Sequence, residues 1–281
     1  MTWFTEVFEP SFMQRALTGS LLAVAITSLV GTWVVLRGLA FLGDALAHGV
    51  VPGIALAVLW GFSLVIGAFV AAVVMAAAVV VVSSKTSVRE DTGIGLLFVG
   101  MLSLGIVIVS RARSFNTEVT SLLFGDVLGV TWADIRLQLV ALVVVVVVSA
   151  LMFRPFMALT FNRDKALTLG MRPGLAHLVL MALVAVSIVA SFQTVGTLLV
   201  FGLLVGPPAT AALLVRRVPT MMLLSMLFGS IAVVAGLVVS FHYSTAGGAT
   251  MSLFSVVLFF VVLVVREVIA ALTPTPPAPA H

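Results

Sequence analysis

Ala141-Leu142-Val143-Val144-Val145-Val146-Val147-Val148-Ser149-Ala150 is the stretch on which the fold turns. In water, six consecutive valines read as a β-strand. A β-branched side chain packs well on a pleated surface and loses rotamer freedom in a helix. In lipid the reading reverses, because a lone strand leaves its backbone N–H and C=O groups unpartnered while a helix satisfies them internally. The choice of element is therefore a choice of solvent, and composition makes it. Of 281 residues, 62% are hydrophobic and only 9% are charged, whereas a soluble domain carries roughly a quarter charged residues. Mean hydropathy is +1.31. Too little polar side chain remains to cover a water-facing surface, so the apolar residues must face lipid or one another.

Working outward, the valine run lies in 133–153, one of nine candidate spans. Each can cross a hydrocarbon core about 30 Å thick as a helix of roughly 20 residues. The others are 16–36, 39–60, 62–82, 92–110, 175–192, 197–215, 220–241 and 248–265. The sixth and seventh spans are separated only by Gln193-Thr194-Val195-Gly196, and the second is polar in its first half. The expected fold is an all-α, polytopic integral membrane bundle of eight or nine transmembrane helices. The first run lacks the short core and small-residue cleavage site of a removable signal. We expect an N-terminal extracytoplasmic segment at 1–15, one membrane domain at 16–268 and a proline-rich tail at 269–281. The tail's end, Thr273-Pro274-Thr275-Pro276-Pro277-Ala278-Pro279-Ala280-His281, has the composition of a disordered segment.

Lys and Arg orient the bundle. One set of loops holds Arg37, Lys85, Arg89, Arg154, Arg163, Lys165, Arg172, Arg216, Arg217 and Arg266, and the opposite set holds Arg15, Arg111, Arg113 and Arg136. Ten against four places the first set in the cytoplasm. Nine spans then put the N-terminus outside and the C-terminus in the cytoplasm. The pI near 10.7 does not point to nucleic acid, because the basic residues are scattered between apolar runs rather than gathered on a face. With no cysteine in the chain, disulfides, thiolate metal sites and iron–sulfur ligation are excluded.

An ionisable residue inside a span costs about 2.5–3.5 kcal/mol at mid-membrane and needs a reason. The second span carries two, in Leu42-Gly43-Asp44-Ala45-Leu46-Ala47-His48-Gly49-Val50-Val51-Pro52-Gly53. Asp44 and His48 are four residues apart, so a helix sets both on one face, one turn apart. A carboxylate oxygen and an imidazole nitrogen there can meet one divalent cation. Two other readings compete: Asp44 caps the helix, or it pairs structurally with His48. Pro52 has no N–H for the carbonyl of His48, which should open the helix on the turn that carries the candidate ligands. Gly49 and Gly53 permit close helix approach. Two side chains make a weak metal site. Two copies across a two-fold axis supply two Asp and two His, and two carboxylates balance one divalent charge, so the ligand count argues for a homodimer. The loop 154–172 mixes charge with Phe156, Met157, Leu159 and Phe161. It reads either as a plain connection or as an amphipathic docking segment at the membrane surface. His242, in the last outer loop, is a candidate entrance ligand only.

The segment from Leu42 to Gly53 closely resembles the signature of the zinc/manganese/iron family of ABC transporter permeases. So do Arg89-Glu90-Asp91-Thr92-Gly93-Ile94-Gly95-Leu96-Leu97-Phe98, Leu122-Leu123-Phe124-Gly125-Asp126-Val127-Leu128-Gly129, and Gln193-Thr194-Val195-Gly196-Thr197-Leu198-Leu199-Val200 running on to Leu203-Leu204-Val205-Gly206-Pro207-Pro208-Ala209-Thr210-Ala211. The resemblance implies a type II-like ABC permease in a bacterial plasma (inner) membrane. Its implied partners are a second copy of itself, cytoplasmic ATP-binding subunits and an extracytoplasmic metal-binding protein. It maps the ion site onto Asp44 and His48. It maps ATPase docking onto about 161–172, with Asn162, Asp164, Ala166, Leu167 and Gly170 as contacts, although Asn162-Arg163-Asp164-Lys165-Ala166 is more basic than the family leads one to expect. It implies no resident cofactor; the metal, Zn²⁺ or Mn²⁺ and in some members Fe²⁺, is cargo. The chain has no Gly-x-x-x-x-Gly-Lys-Ser/Thr, so ATP hydrolysis would belong to another subunit. Rival readings are a gradient-driven secondary cation carrier and a permease for a siderophore or cobalamin.

Overall fold

The computed structural model describes residues 6–85, 90–110, 126–161 and 172–272. Apart from a short 3₁₀ turn at Glu6–Phe8, the elements are α-helices: α1 Ser11–Leu36, α2 Ala40–Gly49, α3 Val51–Trp60, α4 Leu64–Lys85, α5 Glu90–Val109, α6 Trp132–Leu151, α7 Phe153–Phe161, α8 Pro173–Val195, α9 Thr197–Leu214, α10 Val218–Tyr243 and α11 Gly247–Leu272. No strand occurs among the described residues, and the valine run lies inside α6. Eight helical segments are long and apolar enough to cross a membrane, with α2 and α3 together forming one of them. A further, shorter apolar helix, α9, carries the chain back from α8 to α10. Its 18 residues give about 27 Å of rise, just enough for the hydrocarbon core.

Arg37, Lys85, Arg154, Arg172, Arg216, Arg217 and Arg266 stand at one end of the bundle, beside helix termini that the up-and-down order brings together. Arg15 and Arg136 stand at the other. The acidic residues of that second end are used locally. Asp134 accepts the backbone N–H and hydroxyl of Thr131 in a capping box at the start of α6, and Asp126 accepts the N–H of Gly129.

Several boundaries differ from the sequence reading. Helix α1 begins at Ser11, after Pro10, so the segment taken as 1–15 is helical from residue 11. Arg15 donates to the carbonyl of Val130. Helix α11 continues to Leu272, so the tail expected from 269 is still helical at 269–272; 273–281 lie outside the described residues. Hydropathy marks where lipid ends, and a helix needs no lipid to continue through Arg266 and Glu267. The amphipathic stretch after Arg154 is also more than a surface segment. Within α7, Phe156 is buried. It and Phe153 each place a ring 5.4 Å from that of Trp33, edge to face, so α7 closes the base of the bundle.

Helices α8 and α9 are joined by Gly196 alone, at φ 94° and ψ 149°. That region is open to glycine and strained for any L side chain. Near this end, Gln138 of α6 donates to the hydroxyl of Thr194 at 2.6 Å, a buried tie between α6 and α8.

Candidate functional site

The second crossing is broken. Helix α2 ends at Gly49, α3 starts at Val51, and the discontinuity falls two residues before Pro52, as a missing N–H requires. The carbonyl of His48 is not left bare, because it receives the N–H of Val50. Asp44 is the fifth residue of α2, whose N-cap is Leu39, so the capping role for Asp44 is excluded. Asp44 and His48 share one face, with His48 Nε2 3.5 Å from Asp44 Oδ1. That is long for a hydrogen bond and suits a shared cation. With both bonds near 2.1 Å, a 3.5 Å separation subtends about 113° at the metal, close to a tetrahedral angle. By helical rise Asp44 stands about 6 Å and His48 about 12 Å into a crossing about 31 Å long, both on the basic side of the midplane, with His48 the closer to it.

The two side chains are 28% and 15% exposed, so one copy of the chain covers most of each and leaves a part of both open. On one side, Phe98 of α5 sets its ring edge to face with His48 at 5.2 Å and with Phe41 at 5.8 Å. On the other side stands α9. A Cβ on Gly43 would meet Leu204 Cδ2 at 2.7 Å, so α2 rests directly on that leucine. Leu204 is itself pinned. Pro208 gives its carbonyl no N–H, and that oxygen fills the place where a Cβ on Gly31 of α1 would stand. Beyond the break, Gly53 and Gly67 bring α3 and α4 backbone to backbone.

The structure thus unites Asp44 and His48 and adds Phe41, Phe98 and Leu204, which the sequence reading did not single out. Phe41 was accessible to it, at i+3 and i+7 spacing from Asp44 and His48. Phe98 and Leu204 come from other helices and carry no local signal. Asn162, Asp164, Ala166, Leu167 and Gly170 lie outside the described residues. His242 sits in the last turn of α10 at the opposite end, with Nδ1 2.9 Å from the carbonyl of Val238 in its own helix. No group of three or more His, Cys, Asp or Glu side chains that could hold a metal occurs among the described residues.

A helical bundle with an ionisable pair inside a broken span is built as a membrane permease. Residues 9–266 match the model of the ABC 3 transport family, and the chain belongs to that family. It is 37% identical over 257 residues to the manganese transport system membrane protein MntC of Halalkalibacterium halodurans, covering 92% of this chain and 88% of that one. It is 32% identical over 264 residues to the chelated iron transport system membrane protein YfeD of Yersinia pestis, covering 94% and 89%. A chain in the solved structure of PsaBC from Streptococcus pneumoniae in complex with Fab superposes with a TM-score of 0.83 at 29% identity, covering 93% of this chain and 94% of that one.

Proposed function

We propose that the chain is the membrane-spanning subunit of an ATP-driven importer of a divalent transition metal, with Mn²⁺ as leading cargo. The observation that carries this reading is the Asp44–His48 pair, 3.5 Å apart and partly exposed on the basic side of a broken span. Relatives named for manganese and iron transport support it. So does the ligand chemistry: carboxylate and imidazole without cysteine suit Mn²⁺ and Fe²⁺, and also Zn²⁺. Membership of an ABC transport family favours ATP over a gradient as the energy source.

One chain supplies two ligands, so a second copy across a two-fold axis completes the site with two carboxylates and two imidazoles. The pair's own exposure gives that copy a place to dock. The basic end is the cytoplasmic one. A binding protein delivers the ion at the opposite mouth, ATP-binding subunits rock the two copies, and the ion passes between the pairs and leaves inward. Binding there must stay loose enough for release.

The test is uptake of radioactive Mn²⁺ by the complete complex in proteoliposomes, with Fe²⁺ and Zn²⁺ as competitors. Asp44→Asn and His48→Ala should each reduce uptake by more than about tenfold, a loss that even outer-shell changes at metal sites reach, with the melting temperature preserved. Wild-type uptake in both variants would remove the site assignment.

A further inference from the structure

At the basic end α9 stops at Leu214 while α11 runs on to Leu272. Between them lies an open apolar groove of about 370 Å³ lined by Leu214, Val261, Val262, Val265, Arg266 and Ile269. On α11 these positions recur at i, i+1, i+4, i+5 and i+8, so they form a single face of the helix. Arg266 belongs to that face. Glu267, the nearest acid in sequence, points about 170° from its centre at 100° per residue. The carboxylate therefore does not neutralise the guanidinium over the groove.

Two more arginines converge on the same end. Arg216 and Arg217 follow Leu214 in the link to α10, after an extended Val215 at φ −133° and ψ 149°, and both are exposed. Helices α10 and α11 are consecutive crossings in tight contact, with Gly236 against the backbone of Met251. The start of one and the end of the other therefore share this end. The result is an apolar slot in the hydrocarbon layer with three guanidinium groups at headgroup level. None of the three is ion-paired with a described acidic residue.

That combination complements a single chemistry: an acyl chain hanging below an anionic phosphate. We propose that the groove binds an anionic phospholipid of the leaflet at the basic end. Its phosphate rests on Arg216, Arg217 and Arg266, and one chain lies along Leu214, Val261, Val265 and Ile269. A zwitterionic lipid offers the same chain but brings its own cation. A second copy docking here by two-fold symmetry would set six arginines against one another.

The experiment is native mass spectrometry of the full-length chain in neutral detergent, with phosphatidylglycerol or phosphatidylcholine of identical acyl chains. About fivefold per arginine gives a preference for phosphatidylglycerol on the order of a hundredfold. R216Q/R217Q/R266Q should bind both lipids alike, R216K/R217K/R266K should keep most of the preference, and Val265→Trp should block both by filling the slot. If the glutamine variant does not fold, the lysine variant, Val265→Trp and the wild-type preference decide. Equal binding of the two lipids by the wild type overturns the proposal. So does displacement of the lipid by an equal concentration of inorganic phosphate, which would mean that the groove contributes nothing. The chain has no cysteine, so Val265→Cys reports cleanly on contacts between copies. A disulfide formed between copies in membranes would assign the groove to protein and overturn the proposal as well.

Discussion

Gly43 is the residue whose replacement most directly tests how the helix carrying the candidate ion site is held. Its Cβ would stand 2.7 Å from Cδ2 of Leu204, where ordinary contact begins near 3.4 Å. Gly43→Ala therefore demands about 0.7 Å of retreat. The Leu204 backbone cannot supply it, so either the δ carbons swing within a buried site or α2 moves. The residue is 0% exposed, and its carbonyl is lodged against Gly31 of α1. Overpacking costs about 1–3 kcal/mol, while alanine gains about 0.8–1 kcal/mol over glycine in a helix interior. The net loss of stability is thus about 0–2 kcal/mol, a shift of several degrees at most for a chain of this size. The functional loss should be larger, because the strain is relieved by moving the turn that carries Asp44. A site displaced by this much typically loses tenfold or more, up to about a hundredfold per ångström. The assay is the initial rate of Mn²⁺ uptake by the complex in proteoliposomes, paired with thermal melting. Leu204→Val removes the δ carbons, so the double variant G43A/L204V should recover most of the uptake, with a coupling of about 1–2 kcal/mol. Wild-type uptake in Gly43→Ala, or strictly additive effects in the double variant, would refute the reasoning.

Gly196→Ala forces an L side chain into a region open only to glycine, at a cost of about 1–3 kcal/mol, which melting in detergent should register as a lower midpoint. Trp33→Ala should cost about 3–5 kcal/mol by emptying the contact with Phe153 and Phe156. Trp33→Phe should stay within about 1.5 kcal/mol, because the indole N–H has no partner to lose.

What could be read in advance was whatever is local or set by solvent. Hydropathy separates lipid from water, so the eight long apolar segments and the shorter α9 were all visible. An i, i+4 spacing is fixed by helical pitch, so the union of Asp44 and His48 was visible too. Pro52 announced the break, because a proline's missing N–H acts on its own helix. Helix ends were less legible. Arg15 at the start of α1 and Arg266 near the end of α11 stop the apolar signal without stopping the helix, which tolerates charge at headgroup depth. The surroundings of the pair were least legible. Phe98 reaches His48 from a span fifty residues along the chain. Leu204 meets Gly43 from still farther away. Nothing in either segment's own pattern distinguishes these apolar side chains from neighbours that face lipid.

The break at Val50 divides one crossing into two helices that share α5 but otherwise have different neighbours, and this bears on how the candidate ion site keeps its geometry. Helix α2, with the ligands, is braced by α5 through Phe98 and by α9 through Leu204, which is locked in turn to α1. Helix α3 lies on α4, where Gly53 and Gly67 bring the backbones together, and shares α5, where Gly105 meets Val51. An unbroken helix would carry any tilt at the outer mouth straight to Asp44 and His48. With the backbone ladder interrupted between them, the outer half can adjust against α4 while the ligands stay seated on α9. If the pair is the ion site, the break at Val50-Val51-Pro52 is the feature expected to uncouple Asp44 and His48 from movement of the outer half of their span.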